Sequence, residues 1–374
     1  MNSALLLLSF VVTSGPFSAS CSRSTPSVPH SAPIFGTVSV QKDLEKHVAV
    51  VMNMDSIDSE EIASYYVKKR HIPRSNVIEI HCTTAETIPQ ADFTKNVVQP
   101  VQKAVHQNPN GIDYIVVTSG DPLVIKESGF SCDGELVGMD DTSVHPIGAL
   151  TEGNILQARN PYYKADEHFS HQKFPLYLVC RLDGYTVADA ERLVDNSLKA
   201  SAHTGLYFLQ ESPIRTAGDY GHLQELMTKA AGDLAAKGFK TLVQTDKVFT
   251  VPSQPLMGYC TWGSNNGPFN TAVYDSIKFK PGAICETFVS TSGRTLHSRA
   301  PGQSRIADLI AAGVTGVKGY VTEPFTFSLC RPDILFGRYT EGYNLAESFY
   351  MASPIIKYKD IVIGDPLCDP YAKP

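Results

Sequence analysis

Short, nearly continuous apolar runs recur along this chain, each followed by a stretch with helical spacing, and that alternation leaves few architectures open. HVAVVM (47–52), 77–81, IDYIVVTS (112–119) and 176–180 are the strand-like runs of the first half. The second half repeats the rhythm at 205–209, 241–245, 256–261, 283–290 and 316–321. Between them, residues 58–71, 93–106, 186–200, 219–237 and 304–312 carry apolar side chains at helical intervals. The first of these helices is expected to be capped by Asp58 or Ser59, and the second holds Pro100 inside it or is divided there. Strands apolar on both faces belong to parallel sheet covered by helices on both sides. The expected fold class is therefore α/β, three-layer, with largely parallel sheets and flanking helices.

A chain of 374 residues has room for about two domain-sized units. The expected division is a signal peptide over 1–20, a Ser/Pro-rich tether over 21–44, an N-terminal α/β unit over 45–202 and a C-terminal unit over 203–374. The run 5–12 is too short to span a membrane but suits a signal-peptide core, and small residues precede Cys21. These features predict export to the periplasm or cell envelope, with Cys21 as a lipidation candidate and no transmembrane segment in the mature chain. IDYIVVTSGDPL and YKDIVIGDPLC both leave a strand through Gly-Asp-Pro-Leu, an echo that suits two related units or simply a sharp exit turn.

Thirty-two Lys and Arg against 38 Asp and Glu give a formal charge of -6, which argues against a nucleic-acid partner. The cysteines form no C-x-x-C pair, and templates for zinc proteases, phosphate loops and dinucleotide loops are missing, so neither a metal nor a cofactor is expected.

In parallel α/β sheets ligands gather beyond the carboxyl ends of the strands, so chemistry is sought there. After 256–261 comes Trp262, the only tryptophan, with Ser264 and Asn265: a binding lip, or a ring that plugs a core edge. After 283–289 comes STSGRTLH, where Ser290 or Ser292 could act as nucleophile with His297 as base and Arg294 as an anion holder, or where an ordinary loop simply turns. Arg181 and Asp183 follow 176–180 and suit a loop brace. Glu323 follows 316–321 as a general base, a ligand group or a solvated turn residue.

The ordered segments IASYYVKKRHIP, RLDGYTVADAERLVDNSLKA, PGAICETFVSTSGRTL, GVTGVKGYVTEPF and GDPLCDPY resemble an uncharacterised bacterial family that occurs beside exosortase protein-sorting systems. The resemblance covers nearly the whole mature chain and implies an envelope setting. More distantly, the C-terminal half is similar to gingipain/caspase-like peptidases, in which a His closes one strand and a Cys its neighbour. Here those positions fall at 259–264 and 290–292 and hold neither residue, with Cys260 at the His position and Cys285 inside its strand. The resemblance therefore implies a binding or assembly role with a small molecule, a peptide or envelope proteins as partners. The alternative is a hydrolase with a Ser or Cys nucleophile.

Overall fold

The computed structural model describes residues 36–140, 150–202, 205–299 and 301–373. The signal-peptide segment, Cys21 and the tether as far as residue 35 lie outside them. Residues 36–40, expected within the tether, lie against the fold instead. Gly36, Thr37 and Val38 donate backbone hydrogen bonds to Thr340 and Glu341, and Ser39 bridges Lys373.

β1 (Val48–Asn53) is wholly buried, as its unbroken apolar run requires. Helix α1 (Ile57–Arg70) follows, capped by Ser56, whose hydroxyl accepts from Ser59 N. The cap thus sits two residues before Asp58, because Ser56 is the last residue with extended backbone. β2 (Val77–Ile80) and the two-residue strand β3 (Thr87–Ile88) lead into α2 (Gln90–Phe93). A π-turn over Thr94–Val98 joins α2 to α3 (Gln99–Gln107). Residues 90–107 thus run as one helix with Pro100 inside it, two residues past the π-turn that accommodates its missing N–H. β4 (Tyr114–Thr118) comes next, then β5 (Val124–Ile125), which pairs with β3, and α4 (Cys132–Val137).

β6 (Leu178–Leu182) runs two residues later than the sequence pattern suggests, so Arg181 lies inside the strand rather than after it. The reason is that Arg181 is fully buried with its charge satisfied, and the strand continues through it. After α5 (Val187–Leu198) come β7 (Leu206–Gln210), α6 (Gly218–Ala236), β8 (Lys240–Gln244) and β9 (Leu256–Thr261). α7 (Thr271–Tyr274), β10 (Phe279–Thr287), α8 (Ile306–Ala311) and β11 (Gly316–Tyr320) continue the chain. Helices α9 (Pro332–Glu341) and α10 (Leu345–Met351) precede β12 (Asp360–Gly364).

Ten strands form one sheet in the order β2-β1-β4-β6-β12-β11-β10-β9-β7-β8, so the sheet runs unbroken past the boundary expected at 202. It is mostly parallel and flanked by helices, an α/β fold of three layers. Counted inward from either end, each half reads second, first, third, fourth: β2-β1-β4-β6 and β8-β7-β9-β10. The carboxyl ends of both halves share one edge. Leu296 N, beyond β10, donates to the Glu86 carboxylate beyond β2 at 3.0 Å.

β12 runs antiparallel to β11, Gly316 opposite Gly364. The second Gly-Asp-Pro-Leu therefore opens beside the start of β11, at the other edge from the first. There Asp365 accepts from Tyr66 at 3.0 Å and from Arg70 Nε at 2.7 Å, tying the end of α1 to the end of β12.

Candidate binding site

Loops leaving β7, β9, β10 and β11 at the carboxyl edge surround a pocket of about 180 Å³. Its lining includes Arg215, Tyr220, Trp262, Asn265, Ser290, Gln303 and Glu323. Trp262 is 1% exposed and forms one wall, with the Phe288 ring 5.0 Å away and Tyr220 meeting it edge-on at 5.6 Å. The ring closes the edge of the core and lines the pocket at once. Its indole N–H is buried and has no hydrogen-bond partner among the described residues.

Gln303 organises the polar wall. Its amide oxygen accepts from Thr291 N at 3.1 Å and Thr291 Oγ1 at 2.6 Å. Its amide nitrogen donates to Ser290 Oγ at 3.1 Å and to Asn265 Oδ1 at 3.2 Å. Asn265 in turn donates to Phe288 O at 2.9 Å, so the loops after β9 and β10 are locked to each other. Arg215 lies with its guanidinium 4.8 Å from the Tyr220 ring centre and 5.8 Å from that of Trp262. Stacking of this kind orients the planar fork while leaving its edge free for a ligand.

The remaining residues singled out from the sequence are placed differently. Ser264 and Ser304 clasp the two loops, each backbone N–H donating to the other's hydroxyl, at 3.0 and 2.9 Å. Arg294 turns away to brace its own loop, donating to Thr291 O at 3.0 Å and Gln303 O at 2.8 Å. Ser292 is fully buried, and its hydroxyl accepts weakly from Tyr320 N at 3.4 Å in the crossover to β11. His297 is exposed beyond the same loop. It is a hydrogen-bond partner of neither Ser290 nor Ser292 among the described residues. Ser290, Trp262, Asn265 and Glu323 are thus brought together, while Ser264 and Arg294 support them from behind.

Burial pushes the thiols of Cys260 and Cys285 well above the ordinary range, with the Glu286 carboxylate adding to the effect. Neither is a thiolate near neutral pH, and thiolate is the reactive form.

A second polar assembly at this edge is closed. Arg181 donates to Asp133 at 3.0 and 2.6 Å, to Asp121 O at 2.9 Å and to Pro122 O at 2.9 Å, with Asp183 at 3.5 Å. Burial pushes the Asp121 carboxyl up to about 7, against the opposing pull of Arg181. The guanidinium is spent on these partners and braces the β4 and β6 exits. Among the described residues no group of three or more His, Cys, Asp or Glu side chains is arranged to hold a metal ion, and no helix is long and apolar enough to cross a membrane.

Arg215, Tyr220 and Gln303 escaped the sequence analysis. Arg215 lies within a few residues of the exit of 205–209, where a parallel sheet places its ligands. Gln303 carried no such signal, since it arrives from the far end of a loop.

No family model matches the chain, and neither does any curated protein. Among solved structures, one described as "Structure of Protease" superposes with a TM-score of 0.45 at 8% identity, covering 88% of this chain and 80% of that one. A likeness at that level carries no activity across.

Proposed function

We propose that this chain is an exported envelope protein that uses the pocket at its carboxyl edge to bind a ligand rather than to hydrolyse one. Kinship with the exosortase-associated family, and the distant gingipain/caspase-like ancestry of its C-terminal half, belong to the same proposal. Export is supported by the apolar run 5–12 and the small residues before Cys21. The observation that carries the binding role is the state of Ser290. Its hydroxyl is engaged by Gln303, and no imidazole is among its hydrogen-bond partners. A serine without a base is a poor nucleophile, whereas an aromatic wall with a few fixed polar groups is what small-ligand sites are made of.

Intact-mass labelling with serine- and cysteine-directed electrophiles, followed by peptide mapping, tests this directly. The expected result is no modification of Ser290, Ser292, Cys260 or Cys285 in the folded chain beyond that of the unfolded one. Rapid stoichiometric labelling at any of the four, lost on unfolding, overturns the binding role in favour of a hydrolase.

A further inference from the structure

Two residues of the pocket wall carry hydrogen-bond donors with spare capacity. The Arg215 fork makes one long contact, from Nε to Asn265 O at 3.4 Å, and forms no ion pair among the described residues. The buried Trp262 N–H has no hydrogen-bond partner among the described residues. A buried donor left unmatched is costly, and beside it the half-buried Arg215 fork keeps most of its N–H groups available to an acceptor.

The amide groups between them are already committed to one another. Gln303 and Asn265 are joined at 3.2 Å, so the free polar capacity is concentrated at the Arg215 end. At the other side stands Glu323. The loops that carry these two residues leave β7 and β11, which flank β9 and β10 in the sheet, so the Arg215 fork and the exposed Glu323 line the pocket without forming an ion pair among the described residues. A volume near 180 Å³ is well below the few hundred Å³ or more typical of drug-sized ligands. A pocket of this size and lining suits a small molecule with an anionic group at one end and a cationic group at the other.

We propose that the pocket binds a free α-amino acid. The α-carboxylate lies in the Arg215 fork against the Trp262 wall, and the α-ammonium faces Glu323. Arginine is suited to the first task because its planar fork matches a carboxylate with two parallel hydrogen bonds, which a lysine cannot do. The inference rests on the binding role proposed above and names its ligand class.

Trp262 makes the test direct, since the single tryptophan reports on this pocket alone. Free alanine, leucine, lysine and glutamate are titrated into the purified chain, alongside their amides and a dipeptide with a free carboxyl end. Tryptophan emission and calorimetry are read in parallel. The expected result is saturable binding of at least one free amino acid, weakened roughly tenfold or more by amidation of its carboxylate and by Arg215→Gln. Glu323→Gln weakens the same ligand by a smaller factor. The amide comparison uses the unaltered protein, so it stands even if a variant folds poorly.

Equal binding of acid and amide, equal binding by Arg215→Gln, or a dipeptide that binds as tightly as the free residue each overturns the amino-acid assignment while leaving a binding pocket in place. Silence from every ligand in both measurements also overturns it. Failure of the binding role itself appears elsewhere, as stoichiometric labelling of Ser290.

Discussion

Glu286 shows how far one residue can depart from what its sequence position suggests. It sits fully buried in β10, where its carboxyl accepts from Tyr320 OH at 2.9 Å and leaves the second oxygen without a partner. The neighbouring Lys318 is spent elsewhere, on Asp360 at 2.8 Å and Ser353 at 2.6 Å. Burial therefore prevails over the opposing pull of Lys318 and Tyr320, and the Glu286 carboxyl is pushed up to about 8. The consequence for stability has a definite sign. Above the unfolded value of 4.5 the unfolded chain releases this proton while the folded chain keeps it. Stability is then lost as pH rises, until the folded group ionises near 8. One proton difference amounts to about 1.4 kcal/mol per pH unit across that window. Glu286→Gln removes the titration but keeps the shape. Denaturant unfolding of both proteins should give similar stabilities near pH 5 and a widening advantage for the variant towards pH 8. Asp121, at about 7, and Asp369, at about 6, titrate in both proteins and cancel in the comparison. Parallel pH profiles would mean that Glu286 is already ionised in the folded chain.

Among the elements, the exit of β4 is the most tightly determined. Gly120 has φ of +90°, a conformation that costs an L side chain about 1–2 kcal/mol. A Cβ placed there would come within 2.1 Å of the Ser56 hydroxyl oxygen and 2.5 Å of Ser56 Cβ, and that hydroxyl caps α1. Gly120→Ala should therefore destabilise the fold by roughly 2–4 kcal/mol, through backbone strain together with a lost cap. Ser56→Ala, which loses the cap alone, should cost only about 1 kcal/mol. Comparable losses in the two variants, read by denaturant midpoint, would show that the turn yields easily. This turn also marks what was legible in advance. The Gly-Asp-Pro exit, the parallel strands and the helices around 58–71, 186–200 and 219–237 follow from periodicity and turn chemistry, which act locally. α9 was legible in principle, since Leu335, Phe336 and Tyr339 recur at helical spacing behind Pro332, whereas α10 left no mark because it is buried all round and such a run has no polar face to set its period. The ends of β6 and the partners of Arg181 were illegible for a different reason: a charge inside a strand is tolerated only through residues some 50 to 60 positions away. The pocket was half legible. Trp262, Asn265, Ser290 and Glu323 follow their strands directly, whereas Gln303 reaches them only through the tertiary path of its loop.

At the scale of the whole molecule, the placement of β12 decides how the chain behaves. A sheet in which each half kept its own strands could separate into two independent units, and 45–202 would then be a natural fragment. Here β12, from the far end of the sequence, occupies the position between β6 and β11. The first half is completed only when the last strand arrives, and Asp365 just beyond it is anchored to Arg70 and Tyr66 on the first helix. Removing residues 203–374 would strip the inner edge of β6 of its neighbour and leave Asp133, Arg181 and the apolar core beside them open to water. An uncovered apolar edge of this kind promotes aggregation. The two halves should accordingly unfold together. Trp262 reports on the second half, and the buried thiols Cys82, Cys132 and Cys180, resolved from the four thiols of the second half by peptide mapping of the label, report on the first. Tryptophan emission and thiol accessibility, followed through the same denaturant series, should give one coincident transition. Two separated midpoints would mean that the interface formed by β12 is too weak to couple the halves, and that the sheet is continuous in geometry but not in energy.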